Sequence, residues 1–276
     1  MHELIACAPS NACIVYLINL DRSPERLANV SARLTALGLA FERVPAVDGM
    51  TLSEAEFARQ TRENRYYKPL RRGEVGCYLS HLEAMRRFVA TGREYALILE
   101  DDVVLPDRLP CLLNDAIGLR RRSVDARLAW DVLKLANKRR RHIDLAPLGA
   151  DHRLVEYGPS VPTTTAAAVW TRDGAIRWIQ GSNGVARPID CDLQHPWEYG
   201  LCIRSIHPVP VAAGTESTMG SKDHATRAPW RKLAYEASRL VQKWRYFTGC
   251  YGGRFMLPWL WRTQLTYRPV AKADGT

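Results

Sequence analysis

Residues 95–105, YALILEDDVVL, pass through five apolar positions into three consecutive carboxylates, Glu100, Asp101 and Asp102, and return at once to apolar residues. A strand that is apolar at every position, rather than at alternate ones, has to be covered on both faces. That requirement points to a sheet buried between layers of helices. A chain of 276 residues that is 46% hydrophobic and 25% charged can supply such a core, as one α/β domain with or without an appendage, and is not the composition of a disordered chain.

The flanking sequence supports the same class. ACIVYLINL (12–20) reads as a strand, and Ser23 and Pro24 then suit the cap and first position of a helix. Leu27, Val30, Leu34 and Leu37 recur at helical spacing up to Gly38, and FERVPAVDG (41–49) reads as a second strand closed by a turn. This β-α-β opening is that of a doubly wound sheet. Residues 80–89 read as a helix with Leu82, Met85 and Val89 on one face. RLAWDVLKLAN is a weaker strand, TTTAAAVWTRDGAIRWIQ a strand followed by a helix, and LCIRSIHPVPVAA a late strand pair.

Strand alternation predicts that Glu100 and Asp102 face one side and Asp101 the other. Paired carboxylates repel unless a proton or a cation lies between them, and the carboxyl end of a strand in an open α/β sheet is where ligands bind. Mg²⁺ or Mn²⁺ takes one or two carboxylates together with phosphate oxygens, so a cation bridging to a diphosphate satisfies both conditions. A solvated strand end is the plain alternative.

Four segments decide between these. NLDRSPERL after the first strand, VPAVDG closing the second, RRGEVGCYLSHLEAMRRF before the acidic strand, and ALILEDDVVL itself, in that order over residues 12–105, resemble glycosyltransferase family 25. That family includes lipooligosaccharide galactosyl- and glucosyltransferases and procollagen galactosyltransferases. WDVLKLAN (130–137) and RPIDCDLQ (187–194) continue the resemblance more weakly, whereas TTTAAAVWTRDGA lacks the His and Tyr usual at its place.

The resemblance implies a GT-A type, Rossmann-like domain with a mostly parallel central sheet. It also implies a UDP-sugar donor, Mn²⁺ or Mg²⁺, and transfer of a hexose, galactose foremost, with inversion. Glu100 and Asp102 become the expected metal carboxylates, with Asp101 assisting or structural. Asn19, Asp21, Arg22, Asp48, Gly49, Glu74, Ser80 and His81 become the expected donor-side residues, although Asp48-Gly49 also suits a plain turn and His81 a packed core position.

Single displacement needs a further base to take the acceptor proton. Asp190 and Asp192 are the candidates, with Glu198 in reserve; helix capping or pairing with Arg187 is the alternative for each.

Charge is concentrated at the end of the chain. From residue 228 onward nine Lys or Arg stand against Glu236 and Asp274, and half of the eight tryptophans lie there. This divides the chain into an expected catalytic domain at 12–220 and a basic, aromatic helical extension at 228–276. Trp230, Leu233, Ala237, Leu240, Val241, Trp244 and Phe247 follow helical spacing among Arg and Lys, which suits either an anionic membrane surface or docking onto the domain. No nucleic-acid module matches.

Seven scattered cysteines without CxxC spacing argue against zinc and fit a reducing compartment. With no basic n-region or long apolar span near residue 1, the expectation is a cytoplasmic enzyme, peripheral on the inner membrane, acting on a glycolipid oligosaccharide such as lipooligosaccharide. A protein or another surface polysaccharide as acceptor, or a non-catalytic membrane-binding module, is the alternative.

Overall fold

A computed structural model describes residues 13–137, 142–157, 161–214 and 229–251. β1 (Cys13–Asn19), α1 (Pro24–Ala36) and β2 (Glu42–Pro45) open the chain, followed by a 3-10 turn (Gly49–Thr51), α2 (Glu54–Gln60) and α3 (Arg72–Ala90). β3 (Tyr95–Glu100), β4 (Val103–Val104), α4 (Leu109–Arg122) and β5 (Val132–Lys134) come next, then the hairpin β6 (Ile143–Leu148) and β7 (His152–Glu156). β8 (Ala167–Thr171), α5 (Arg172–Gly181), α6 (Ile189–Asp192), β9 (Ile203–His207), β10 (Ala212–Ala213) and α7 (Pro229–Tyr251) complete it.

Eight strands form one sheet in the order β2-β1-β3-β8-β5-β9-β7-β6. The acidic strand lies near its centre and is covered on both faces, as its composition requires. Val15, Leu17, Leu97 and Leu99 pack with α1 and α4 on one face. Tyr16, Ile18, Ala96 and Ile98 pack with α3 and α5 on the other. Period-2 alternation along two adjacent strands thus feeds two separate cores.

This is the helix-flanked α/β sheet expected of a GT-A type domain, but it is more mixed than mostly parallel. Three of its seven pairings are parallel and four antiparallel. The reason is that β8 enters in reverse between β3 and β5, and the β6–β7 hairpin adds two more antiparallel edges. That hairpin escaped the sequence reading because Pro147 and an irregular register between Asp144 and Ala146 break its alternation.

α3 begins eight residues before the expected helix, at Arg72 rather than Ser80. Glu74 Oε2 accepts from the backbone N–H of Arg71 at 2.8 Å and so satisfies one of the first-turn donors. The early start brings Gly76 against the turn after β2. A Cβ there would lie 2.5 Å from the Val47 carbonyl oxygen and 2.6 Å from the Gly49 nitrogen, so only glycine permits this approach.

α7 docks by its polar side. Arg239 Nη1 donates to Gln194 Oε1 at 2.7 Å, Trp197 Nε1 donates to Gln242 Oε1 at 3.1 Å, and Tyr235 stacks among Tyr66, Tyr67 and His195. Its apolar stripe faces outward, with Trp230 66%, Leu233 73%, Leu240 61%, Val241 52% and Trp244 58% exposed. The alternative in which the apolar stripe docks onto the domain is therefore reversed. Among the described residues no helix is long and apolar enough to cross a membrane. The aromatic and basic segment RFMLPWLWRTQLTYR (254–268) and the basic residues 138–141 lie outside the described residues.

Candidate active site

At the carboxyl ends of β1 and β3 a cavity of about 580 Å³ opens between the turn after β2, the first turns of α3 and Gly214 after β10. Glu100, Asp101 and Asp102 all line it. Strand alternation does not separate them, because β3 stops at Glu100 and the next two residues form a turn. Asp101 therefore lies on the same cavity as its neighbours instead of facing away.

The three carboxylates have different partners. Glu100 Oε1 accepts from Thr165 Oγ1 at 2.6 Å and lies 3.1 Å from His81 Nε2. Burial works against its charge, but these bonds and the nearby Lys134 hold its carboxyl below the usual range. Asp101 accepts from Asn19 Nδ2 at 2.6 Å and lies 3.6 Å from Arg26 Nη1. Asp102 keeps a buried Oδ1 with no hydrogen-bond partner. Burial first, then the charges of Glu100 and Asp101, push it up to about 6.

This donor set fits a hard divalent cation. A buried carboxylate oxygen lacks a partner, both bonds to Glu100 fall on one of its two oxygens, and cationic charge would relieve the repulsion that raises Asp102. Ligand atoms of Cys77, His81 and Glu100 also lie within 4.8 Å of one another. That trio is a poorer site, since burial and the charges of Glu100 and Asp190 keep the Cys77 thiol protonated.

The other expected donor-side residues divide. Asn19, Arg22, Asp48, Gly49, Ser80 and His81 line the same cavity. Arg22 pairs with Asp48, whose Oδ1 accepts from the Met50 N–H at 3.0 Å. A Cβ on Gly49 would overlap the Arg72 carbonyl, and Ser80 Oγ accepts from the Val47 N–H at 2.8 Å while donating to the Gly76 carbonyl at 2.7 Å. These contacts hold the wall in place. Asp21 lies outside, paired with Arg43 and 80% exposed, and Glu74 is spent on the α3 cap.

The base candidates separate more sharply. Asp192 is fully buried and accepts from Tyr199 Oη at 2.6 Å, Arg187 Nη1 at 3.0 Å, Tyr78 Oη at 3.3 Å and Trp178 Nε1 at 3.4 Å. No acceptor hydroxyl reaches it, and its role is to hold the fold. Glu198 is bound by Arg187 Nη2 at 2.7 Å and Arg65 Nη1 at 3.1 Å, and lines a different cavity.

Asp190 is half-buried, and its charge acts on Glu74, Cys77 and Lys134, the last two of which also feel Glu100. Lys134 is buried on β5, donates to the Pro162 carbonyl, and is brought down to about 7 by burial, with Asp190 and Glu100 opposing the fall. Neither Lys134 nor Thr165 is marked by a local pattern. A lysine inside the apolar run DVLKLAN is the one available signal.

The fold and this cavity define an α/β protein with an acidic ligand site at the ends of its parallel strands. Residues 13–128 match the model of "Glycosyltransferase family 25 (LPS biosynthesis protein)", so this segment of the chain is similar to that family. A "Glycosyltransferase 25 family member" of Anopheles gambiae is 32% identical over 175 residues, 60% of this chain and 28% of that protein. "Procollagen galactosyltransferase 1-B" of Xenopus laevis is 30% identical over 45% of this chain and 21% of its own length. "Inactive glycosyltransferase 25 family member 3" of Mus musculus is 32% identical over 45% of this chain and 22% of its own.

The matched stretches therefore span less than a third of these relatives. Among solved structures, a glycosyltransferase involved in glycosylation of the major capsid of PBCV-1 aligns over 81% of this chain and 99% of that one, with TM-score 0.38 and 13% identity.

Proposed function

We propose that the chain is an inverting glycosyltransferase that moves a hexose, galactose foremost, from a UDP-sugar to a saccharide acceptor, with Mn²⁺ or Mg²⁺ held by Asp102 and Glu100. The observation that carries this reading is the unpartnered buried oxygen of Asp102 in a cavity shared with Glu100, Asp101 and Asp48 and ringed by Arg22, Arg26, Arg71 and Arg72. A site that combines an acidic centre with a basic rim suits a diphosphate ester and its cation.

When bound, the cation supplies Lewis-acid stabilisation of the departing diphosphate. The protein's own groups do the rest. Asn19 and Arg26 hold Asp101, while His81 and Thr165 hold Glu100, which keeps both carboxylates in fixed orientation. The acceptor hydroxyl oxygen forms a bond to the anomeric carbon as the bond from that carbon to the diphosphate oxygen breaks, and UDP leaves with the electron pair. Asp190, whose Oδ1 accepts from the Cys191 N–H at 2.7 Å, takes the hydroxyl proton.

The acceptor is a glycolipid oligosaccharide of the lipooligosaccharide type, reached from the cytoplasmic face of the inner membrane. The support is the outward apolar stripe of α7, flanked by Arg231, Lys232 and Arg245. Co-sedimentation with anionic vesicles tests this part. Equal recovery with anionic and neutral vesicles removes the membrane from the reading.

The enzymatic part is tested by UDP release across a panel of UDP-sugars, with and without Mn²⁺, in the native chain and Asp102→Asn. Metal-dependent release from one sugar nucleotide, lost in the variant, is the expected result. A folded preparation that neither binds nor turns over any UDP-sugar would overturn it, and would place the chain with its relative that is named inactive.

A further inference from the structure

A second cavity, of about 620 Å³, lies between residues 64–69, the 3-10 turn Pro196–Glu198 and α7. Five cationic side chains, Arg65, Lys68, Arg187, Arg231 and Arg239, line it against a single carboxylate, Glu198. Glu198 is already engaged twice, by Arg187 and Arg65. The wall therefore carries more positive charge than its own residues neutralise.

Arg187 also pairs with Asp192 at 3.0 Å and Arg239 with Glu236 at 2.7 Å, so the excess charge falls on Lys68 and Arg231. The guanidinium groups of Arg187 and Arg239 nevertheless each keep a donor without a partner. Arg187 is 4% exposed, and its Nε, like that of Arg239, is a buried donor with no hydrogen-bond partner. Buried N–H groups are almost always satisfied, so an unpaired one calls for an acceptor. Lys68 Nζ lies 5.2 Å from the Tyr67 ring centre and the Arg231 guanidinium 5.8 Å from that of Trp230, and neither makes an ion pair among the described residues.

The remainder of the lining is aromatic. Tyr66, Tyr67 and Tyr235 pack edge-on and tilted, with ring centres 4.5 to 5.7 Å apart. His195 is brought down to about 4 by burial and then by Arg187, so it is neutral. Its Nδ1 donates to the Cys191 carbonyl at 2.9 Å, which leaves Nε2 as an acceptor, 3.5 Å from the Tyr235 hydroxyl. Amphipathic rings, a hydroxyl and a neutral imidazole beside unpaired cations form a pocket that reads sugar and anion together.

We propose that this cavity binds a saccharide bearing a phosphate or carboxylate, and that it is the acceptor-side subsite. Lining segment 64–69 runs through Leu70 into Arg71, Arg72 and Gly73 of the first cavity, so one stretch of chain serves both. Anion binding stands on this cavity alone; the acceptor role rests on the glycosyl-transfer reading.

The test is calorimetric titration of the whole chain with glucose 6-phosphate, inorganic phosphate and glucose, repeated for Lys68→Ala/Arg231→Ala. Glucose 6-phosphate is expected to bind at least about tenfold more tightly than either part alone, and to weaken about tenfold or more in the double variant. Equal affinity for glucose 6-phosphate and inorganic phosphate, or no change in the variant, would overturn the subsite.

If the double variant melts early, Arg231→Glu alone, at an exposed position, makes the same reading through charge reversal. UDP-sugar turnover measured in the same preparations separates the two ideas. Turnover without glucose 6-phosphate binding rejects this subsite only. Glucose 6-phosphate binding without turnover supports the anionic-saccharide pocket and rejects glycosyl transfer.

Discussion

The chain contains two carboxylate pairs at the same spacing, Glu100 with Asp102 and Asp190 with Asp192, and the structure treats them in opposite ways. The first pair ends a strand. Its members share a cavity with Asp101, and one buried oxygen has no partner. The second pair lies on the short helix α6, where residues two apart point about 200° from each other. Asp192 turns inward to four donors, while Asp190 stays half-buried with its Oδ1 accepting from the Cys191 N–H at 2.7 Å. Carboxylates left short of partners suit a ligand, and a carboxylate with every acceptor site used suits the fold.

Removing Asp192 should give the largest effect. Asp192→Ala leaves Arg187, Tyr199, Tyr78 and Trp178 facing a hole, and loss of one partner from a buried ion pair costs about 3–5 kcal/mol. A shift of the urea midpoint measures it. A stable Asp192→Ala protein that has lost turnover would erase the contrast between the pairs.

Asp190→Asn should fold normally and lose roughly 10²–10⁴-fold in glycosyl transfer, the usual contribution of a positioned base. Steady-state assay alongside a melting curve separates the two outcomes, and unchanged turnover would return the base to another group.

Asp102→Asn should stabilise the metal-free protein. Its carboxyl is pushed up to about 6, so its charge at neutral pH opposes folding. Discounting for the part open to solvent, the gain is about 1–2 kcal/mol. Added Mn²⁺ should raise the melting temperature of the native chain but not of this variant.

The smallest effect is in pH. Because the folded form of Asp102 binds its proton more tightly than the unfolded chain, with a normal value near 3.8, its contribution to stability falls as pH rises from about 4 to about 6. In the folded protein the carboxylate needed by a cation forms around pH 6. The Mn²⁺-induced rise in melting temperature should therefore be larger at pH 7.5 than at pH 5, with its midpoint near 6. A rise independent of pH would move the cation off Asp102.

The sequence alone determined the two-sided burial of the central strand, the β-α-β opening and the acidic end of β3, because continuous apolarity and helical spacing are local patterns with one packing solution. It also picked out most of the cavity wall, since the segments that resemble family 25 mark Asn19, Asp48, Gly49, Ser80 and His81 by position. Asp21 and Glu74 carry the same motif marks yet serve an exposed ion pair and a helix cap.

Only the tertiary structure decided the rest. Whether a carboxylate is satisfied depends on residues far along the chain: Thr165 for Glu100, Tyr78 and Tyr199 for Asp192. Likewise, periodicity gave α7 an apolar stripe but not the side on which it docks. That side is set by Gln194, Trp197 and the tyrosines it meets, which attract its polar side and leave the stripe to face outward.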